Sequence, residues 1–441
     1  MADVRPLPGI RYATGEQASQ SSLAVLVTPP YDVISPEAQA RYYERDPHNI
    51  IRLELGRDEP GDDELENRYT RAAATFAEWR MRGVMRQDAP SFYIYDQRFA
   101  VGGHEYTRRS LMARVRLEPW DAEVILPHER TLSKPKDDRL KLLRACAANL
   151  SPIMSFFDDP AAELASILNQ HTANIKPDAD FTDDADERHI LWRVDAPDVA
   201  ARIHDFFDTR QLYIADGHHR YETALAYRDE MAVARKEMPP DDPARFTMMA
   251  LSAIEDPGLV VQPTHRILHS IPMERIERLD SKLASWFSVE PVLPEEAERT
   301  LATPHDGGAV FALVRPERTV LLRLAPAGQQ AMATLGEPYA GASPAWRALD
   351  VAVLHALVLD QGLSVTEEDI RAGRFIRYTH AADEAIRAVQ TGSEGAQIAL
   401  LLRPTPPAAI RDVARARDRM PQKSTYFYPK LITGLVINPV W

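Results

Sequence analysis

Apolar residues along this chain change their spacing from one segment to the next, and the spacing predicts alternating strands and helices. Residues 22–34, SLAVLVTPPYDVI, read as a buried strand running into a loop stiffened by Pro29 and Pro30. Ser35 followed by Pro36 suits a helix start through about residue 45. Over 62–82, Leu65, Tyr69, Ala72, Phe76 and Trp79 recur at helical spacing. Segments 91–100 and 105–117 alternate around Gly102-Gly103, a hairpin signal. A polar loop, LPHERTLSKPKDDR, leads into a helix expected over 139–148, and 170–188 reads as an acidic surface excursion. Strands follow at 189–194, 211–215 and 247–254, with helices at 197–207 and 219–237. Past 270 come a helix at 273–286 and a hairpin at 309–325 turning through Arg315-Pro316-Glu317-Arg318. Further helices are expected at 346–361, 381–390 and 406–417, and strands at 374–379 and 396–402. The class is mixed α/β (α+β), with a core over 1–270 and a smaller α/β domain over 271–441. The tail at 420–437 is left open to return to the core.

Composition narrows the class of protein. With 441 residues, 45% hydrophobic and 27% charged, the chain has ample material for a core. No apolar run long enough to span a membrane appears, and the first residues lack a signal-type apolar segment, so a cytoplasmic protein is expected. A single cysteine, Cys146, excludes a disulfide framework. It falls in an apolar helical pattern and reads as core. A net charge of −13 argues against non-specific binding to nucleic acid or anionic membrane.

The richest chemistry lies in QLYIADGHHRYETALAYRDE, residues 211–230. An apolar strand ends at Ala215, Asp216 and Gly217 turn the chain, and a helix starts at once. The first amides of a helix point outward without intrahelical partners, and the helix dipole adds partial positive charge. Phosphate is favoured there. Arg220 could add a forked contact to phosphate oxygens, and His218 and His219 could donate hydrogen bonds or move protons. Asp216 acting only as a cap for the helix is the plainer alternative.

Three other segments carry candidates. In TPPYDVISPE, Tyr31 and Asp32 sit on a rigid loop, where Asp32 could act as a general base. In PHERT, His128, Glu129, Arg130 and Thr131 suit a loop closing over a ligand. In MPQKSTYFYPK, Lys423, Ser424 and Thr425 could reach phosphate among aromatic residues. His265 and Arg266, after Gln262-Pro263-Thr264, are weaker candidates for substrate contact. His128, His218, His219 and His265 could in principle gather round a metal, but no His-Glu-x-x-His spacing occurs, and no metal site is expected. Walker-type, GxGxxG and GxSxG motifs are absent from the sequence.

Taken in order, TPPYDVIS, HNIIRLELG, PHERT with a downstream DDR, ADGHHRYETAL, PTHRIL and MPQKSTYFYPK resemble the uncharacterised DUF1015 family over nearly the whole chain. Within it, IADGHHRYETAL resembles the phosphate-binding box of the ParB/sulfiredoxin superfamily, which includes ParB proteins, sulfiredoxins and free-serine kinases. That resemblance implies a ParB/sulfiredoxin-like nucleotide-binding core in which Gly217, His218, His219 and Arg220 line a phosphate site. The sulfiredoxin-type cysteine has no counterpart in this turn, and no ParB helix-turn-helix is evident. A phosphotransferase using ATP or ADP with Mg²⁺ on a small metabolite hydroxyl is then expected, serine first, with Asp32 or Glu129 as base. A nucleotide-binding regulatory module without turnover and a metal-dependent hydrolase are the alternatives.

Overall fold

The computed structural model describes residues 1–13, 22–131, 133–303 and 308–441, without the side chains of residues 133 and 134. Leu132 of the expected polar loop thus lies outside the described residues. The chain is mixed α/β and divides into two compact units, 1–127 with 131–260 and 429–441, and 128–130 with 261–428.

The first unit is built on a nine-stranded mixed sheet. Its order is Ile125–Leu126, Leu212–Asp216, Ile153–Phe157, Phe246–Ala253, His104–Arg116, Phe92–Val101, Arg188–Val194 and Ala179–Thr182, with Val4–Arg5 paired to His104–Arg116. Phe246–Ala253 runs parallel to Ile153–Phe157 and antiparallel to His104–Arg116. Strands buried on both faces read as unbroken apolar runs, and Leu212–Ala215 is one. Phe92, Ile94, Leu111, Val115, Ile153, Phe157, Phe207, Ile214 and Leu251 form its main core. A second core gathers Ile50, Leu53, Phe76, Trp79, Leu142 and Cys146. Cys146 is buried there, and burial pushes its thiol up to about 12.

The second unit carries a six-stranded antiparallel sheet, ordered Phe287–Val292, Arg318–Leu324, Val310–Arg315, Ala396–Leu402, His265–His269 and Ile376–Thr379. The expected hairpin turn at 315–318 holds, with Arg315 opposite Arg318.

Several expectations fail for identifiable reasons. Residues 23–26 form one helical turn, Leu23–Leu26, capped by Ser22, and not a strand. A short apolar run does not distinguish the two. The helix expected over 62–82 begins only at Arg68, because Asn67 and Thr70 make a capping box. Leu65 precedes it and is exposed. The helix expected at 139 starts at Ser133, so Asp137, Asp138 and Arg139 lie on a helix and not a loop. Within 170–188, Ala179–Thr182 is an edge strand. The helix expected over 346–361 is broken into Pro344–Arg347, Asp350–Val353 and a wide π-helical stretch, Leu354–Gly362.

Candidate functional site

Strand Leu212–Asp216 delivers the chain to Gly217, whose φ of 97° lies in the left-handed region open to glycine. Helix His218–Ala234 starts there, and its N-cap glycine supplies no side-chain cap. The view of Asp216 as the helix cap is therefore corrected. Its carboxylate turns away from the amides and accepts from Lys430 Nζ at 2.6 Å and Arg220 Nη2 at 2.6 Å. Burial alone would raise the Asp216 pKa, but the Lys430 ammonium and the Arg220 guanidinium outweigh it and hold the carboxyl well below its usual range.

Arg220 also donates to the Pro152 carbonyl. Burial works against its charge, yet Asp216, Asp32, Tyr31 and Glu54 together keep its pKa raised. A Cβ at Gly217 would sit 3.0 Å from the Arg220 guanidinium, so the glycine is required by this side chain as well as by φ. Room for a ligand is thus not what Gly217 visibly provides.

Around this node the first unit gathers further charges. Tyr31–Val33 is a single 3₁₀ turn after Pro30, leaving Asp32 exposed and within electrostatic reach of both Arg220 and His219. Burial lowers the His219 pKa, with Lys136 and Arg220 acting in the same sense and Glu222 and Asp32 opposing. His218 is buried at the helix start. Arg139 lies 4.1 Å over the Tyr31 ring and donates to Asp138 and the Glu54 carbonyl. Burial pushes the Tyr31 hydroxyl up to about 12, against the pull of Arg220 and Arg139. Thr131 Oγ1 and Lys136 Nζ both donate to Glu222, at 2.6 and 2.9 Å.

Sequence reasoning missed Glu54 and Lys136, and it gave Arg139 and Lys430 no role of their own although both stand in segments it singled out. Glu54 is buried, and burial raises its pKa although Arg139 and Arg220 pull the other way. It borders a cavity of about 50 Å³ with Arg139, Ser151, Arg220 and Thr223. Its signal was a carboxylate set among Ile50, Ile51, Leu53 and Leu55. Lys430 closes the MPQKSTYFYPK segment, where Lys423 was the lysine expected to reach phosphate.

The remaining candidates belong to the second unit. His128 Nε2 lies 3.1 Å from Thr425 Oγ1, and its carbonyl accepts from Met420 N at 2.7 Å. Glu129 accepts from Lys423 N at 3.4 Å. Ser424 is buried and donates to the Pro421 carbonyl. Arg130 is exposed and lies 3.7 Å from Glu367. His265 Nδ1 accepts the Leu402 amide at 3.2 Å, and Arg266 donates to the carbonyls of Thr264 and Lys423. Both His265 and Arg266 are buried, and these bonds are to main chain. This unit also holds a cavity of about 300 Å³ lined by Tyr339, Trp346, His355, Ile370, Arg419 and Met420 among others. No helix is long and apolar enough to cross a membrane among the described residues.

A family model described as a protein of unknown function, DUF1015, matches residues 4–352. A search of curated proteins finds no match. Among solved structures, the chain is similar to a conserved hypothetical protein from Pyrococcus furiosus, at 12% identity and a TM-score of 0.34 over 73% of this chain and 92% of that one. A free serine kinase in complex with AMP aligns at 12% identity and a TM-score of 0.35, over 74% and 92%. SbnI from Staphylococcus aureus, truncated at its C-terminus, aligns at 9% identity and 0.35, over 75% and 87%.

Proposed function

The chain belongs to the DUF1015 family, and from that premise we propose that it is a nucleotide-dependent phosphotransferase acting on a small metabolite hydroxyl. One observation carries the reading. A helix start without a side-chain cap meets Arg220 and Lys430, which share the single carboxylate of Asp216. Both cations are held in place beside the positive end of the helix dipole before any ligand arrives, with Asp32 and Glu54 also in electrostatic reach of Arg220. Phosphoryl transfer needs little else from a protein than such positioning and charge. ATP or ADP is the expected donor, and Mg²⁺ bound with it would supply further positive charge to its phosphates.

Asp32 is the preferred base. It is exposed on a proline-fixed turn and shares the first unit with the node, whereas Glu129 belongs to the other unit. His219, whose pKa burial lowers, would orient the acceptor or the leaving oxygen. Serine is the first acceptor to try, from the likeness of IADGHHRYETAL to the superfamily that includes free-serine kinases.

The test is a binding and turnover screen with ATP, ADP and CTP, each with and without serine, on the wild type and on Asp32→Asn. The expected result is nucleotide binding by both and turnover by the wild type alone, with a loss of about 10²-fold or more in the variant. Equal turnover removes Asp32 as base. A wild type that binds none of the three nucleotides ends the reading.

A further inference from the structure

A second cluster of chemistry lies in the first unit, at the turn between strands Ala179–Thr182 and Arg188–Val194 and the start of the second of them. Ligand-type atoms of Asp183, Glu187 and His189 fall within 4.8 Å of one another. The Asp183 carboxylate is fixed by its own turn, with Oδ1 accepting the amides of Ala185 and Glu187 at 2.9 and 3.0 Å. Oδ2 is left facing His189 Nε2 at 3.2 Å.

His189 is fully buried, yet Nε2 has no aligned hydrogen-bond partner. Two polar atoms at that separation without hydrogen-bond alignment suit lone pairs converging on a third point. The other ring nitrogen, Nδ1, lies 2.7 Å from the Tyr95 hydroxyl, and the ring stands between Tyr95 and Phe181. With Nδ1 protonated and donating to that hydroxyl, Nε2 carries the lone pair a metal requires, the usual outer support of a ligating histidine. The buried Arg108 guanidinium is electrostatically coupled to Glu187 and supplies one positive charge against two carboxylates.

We infer that Asp183, Glu187 and His189 bind one divalent transition-metal cation of the Zn²⁺ class. One imidazole nitrogen with two carboxylates suits Zn²⁺, Co²⁺ or Mn²⁺ better than Ca²⁺ or Mg²⁺, which prefer all-oxygen sites. Three protein ligands leave a position for water. The site is independent of the phosphate reading. Strand register sets His189 opposite Gln97, whose amide donates to the Lys430 carbonyl at 3.0 Å, so it borders the chain segment that holds Asp216.

The test uses the untagged full chain, stripped by chelator and titrated with Zn²⁺ or Co²⁺ alone. Expected are about one equivalent bound per chain, a visible Co²⁺ absorption band and a raised Tm. Asp183→Asn, at a half-buried position, and His189→Gln should each lose that equivalent. Tyr95→Phe should weaken binding by about 10- to 100-fold while keeping the stoichiometry. A stripped wild type that takes up no metal overturns the proposal, as does an Asp183→Asn variant that binds as tightly as wild type; the cluster is then an Asp–His ion pair. If His189→Gln does not fold, wild-type stoichiometry and Asp183→Asn decide.

Discussion

Arg220 and Arg266 are both largely or wholly buried, and each follows a histidine, Arg220 in the first turn of a helix and Arg266 at the start of a strand. Their surroundings differ. Arg220 meets carboxylates, and its charge is upheld against burial. Arg266 meets main-chain carbonyls and the Tyr378 ring, and burial pulls it down to about 10. A guanidinium held by acids in a cluster with another cation can take part in gripping an anion. One that links carbonyls is a strut. The same His-Arg dipeptide thus makes a charged node in one unit and an internal brace in the other.

The largest expected effect comes from breaking the node. Asp216→Ala leaves Arg220 and Lys430 without their shared carboxylate and should destabilise the first unit by about 3–5 kcal/mol, read from urea unfolding. Acid should next separate the units. Burial, then Arg266 and His380, pull His265 down to about 4, against an unfolded value of about 6.5. The stability this implies is full above pH ~6.5 and declines as pH falls towards 4, by up to about 3 kcal/mol, because only the unfolded chain takes the proton. His355 shifts in the same direction through burial. The depressed Asp216 pKa puts its own loss at much lower pH, since that contribution persists until pH drops below the unfolded carboxylate range. Amide exchange at pH 7 and pH 5 should show the second unit loosening first, and His265→Gln should flatten that response. Arg266→Met should cost about 1–3 kcal/mol, through the carbonyls of Thr264 and Lys423 left unpaired. Smallest is Asp32→Asn, within about 0.5 kcal/mol in stability because the side chain is exposed.

Regular amphipathic segments were legible in the chain. Pro197–Phe207 and Met273–Trp286 match their expected bounds, because proline at or near the start and helical spacing agree. The single turn Leu23–Leu26 was not, since its form follows from Ser22 capping and from packing against the core around Ile50. At the node, Asp216, Gly217 and Arg220 stood together in one motif, but the direction Asp216 faces depends on Lys430, 214 residues away. The cluster at Asp183, Glu187 and His189 was hidden because a turn and a strand supply it jointly, and its 4- and 2-residue steps mix the helical and strand spacings without following either throughout.

The return of residues 429–441 to the first unit has a temporal consequence. During synthesis, Asp216 and Arg220 emerge long before Lys430. At about 5–20 residues per second, the wait is roughly 10–40 s. Through that interval the nascent chain holds an unfinished polar centre, and the residue that completes it arrives only after the intervening 261–428 unit has been made. Translation order therefore makes the turn at Gly217 one of the last parts of the molecule to mature.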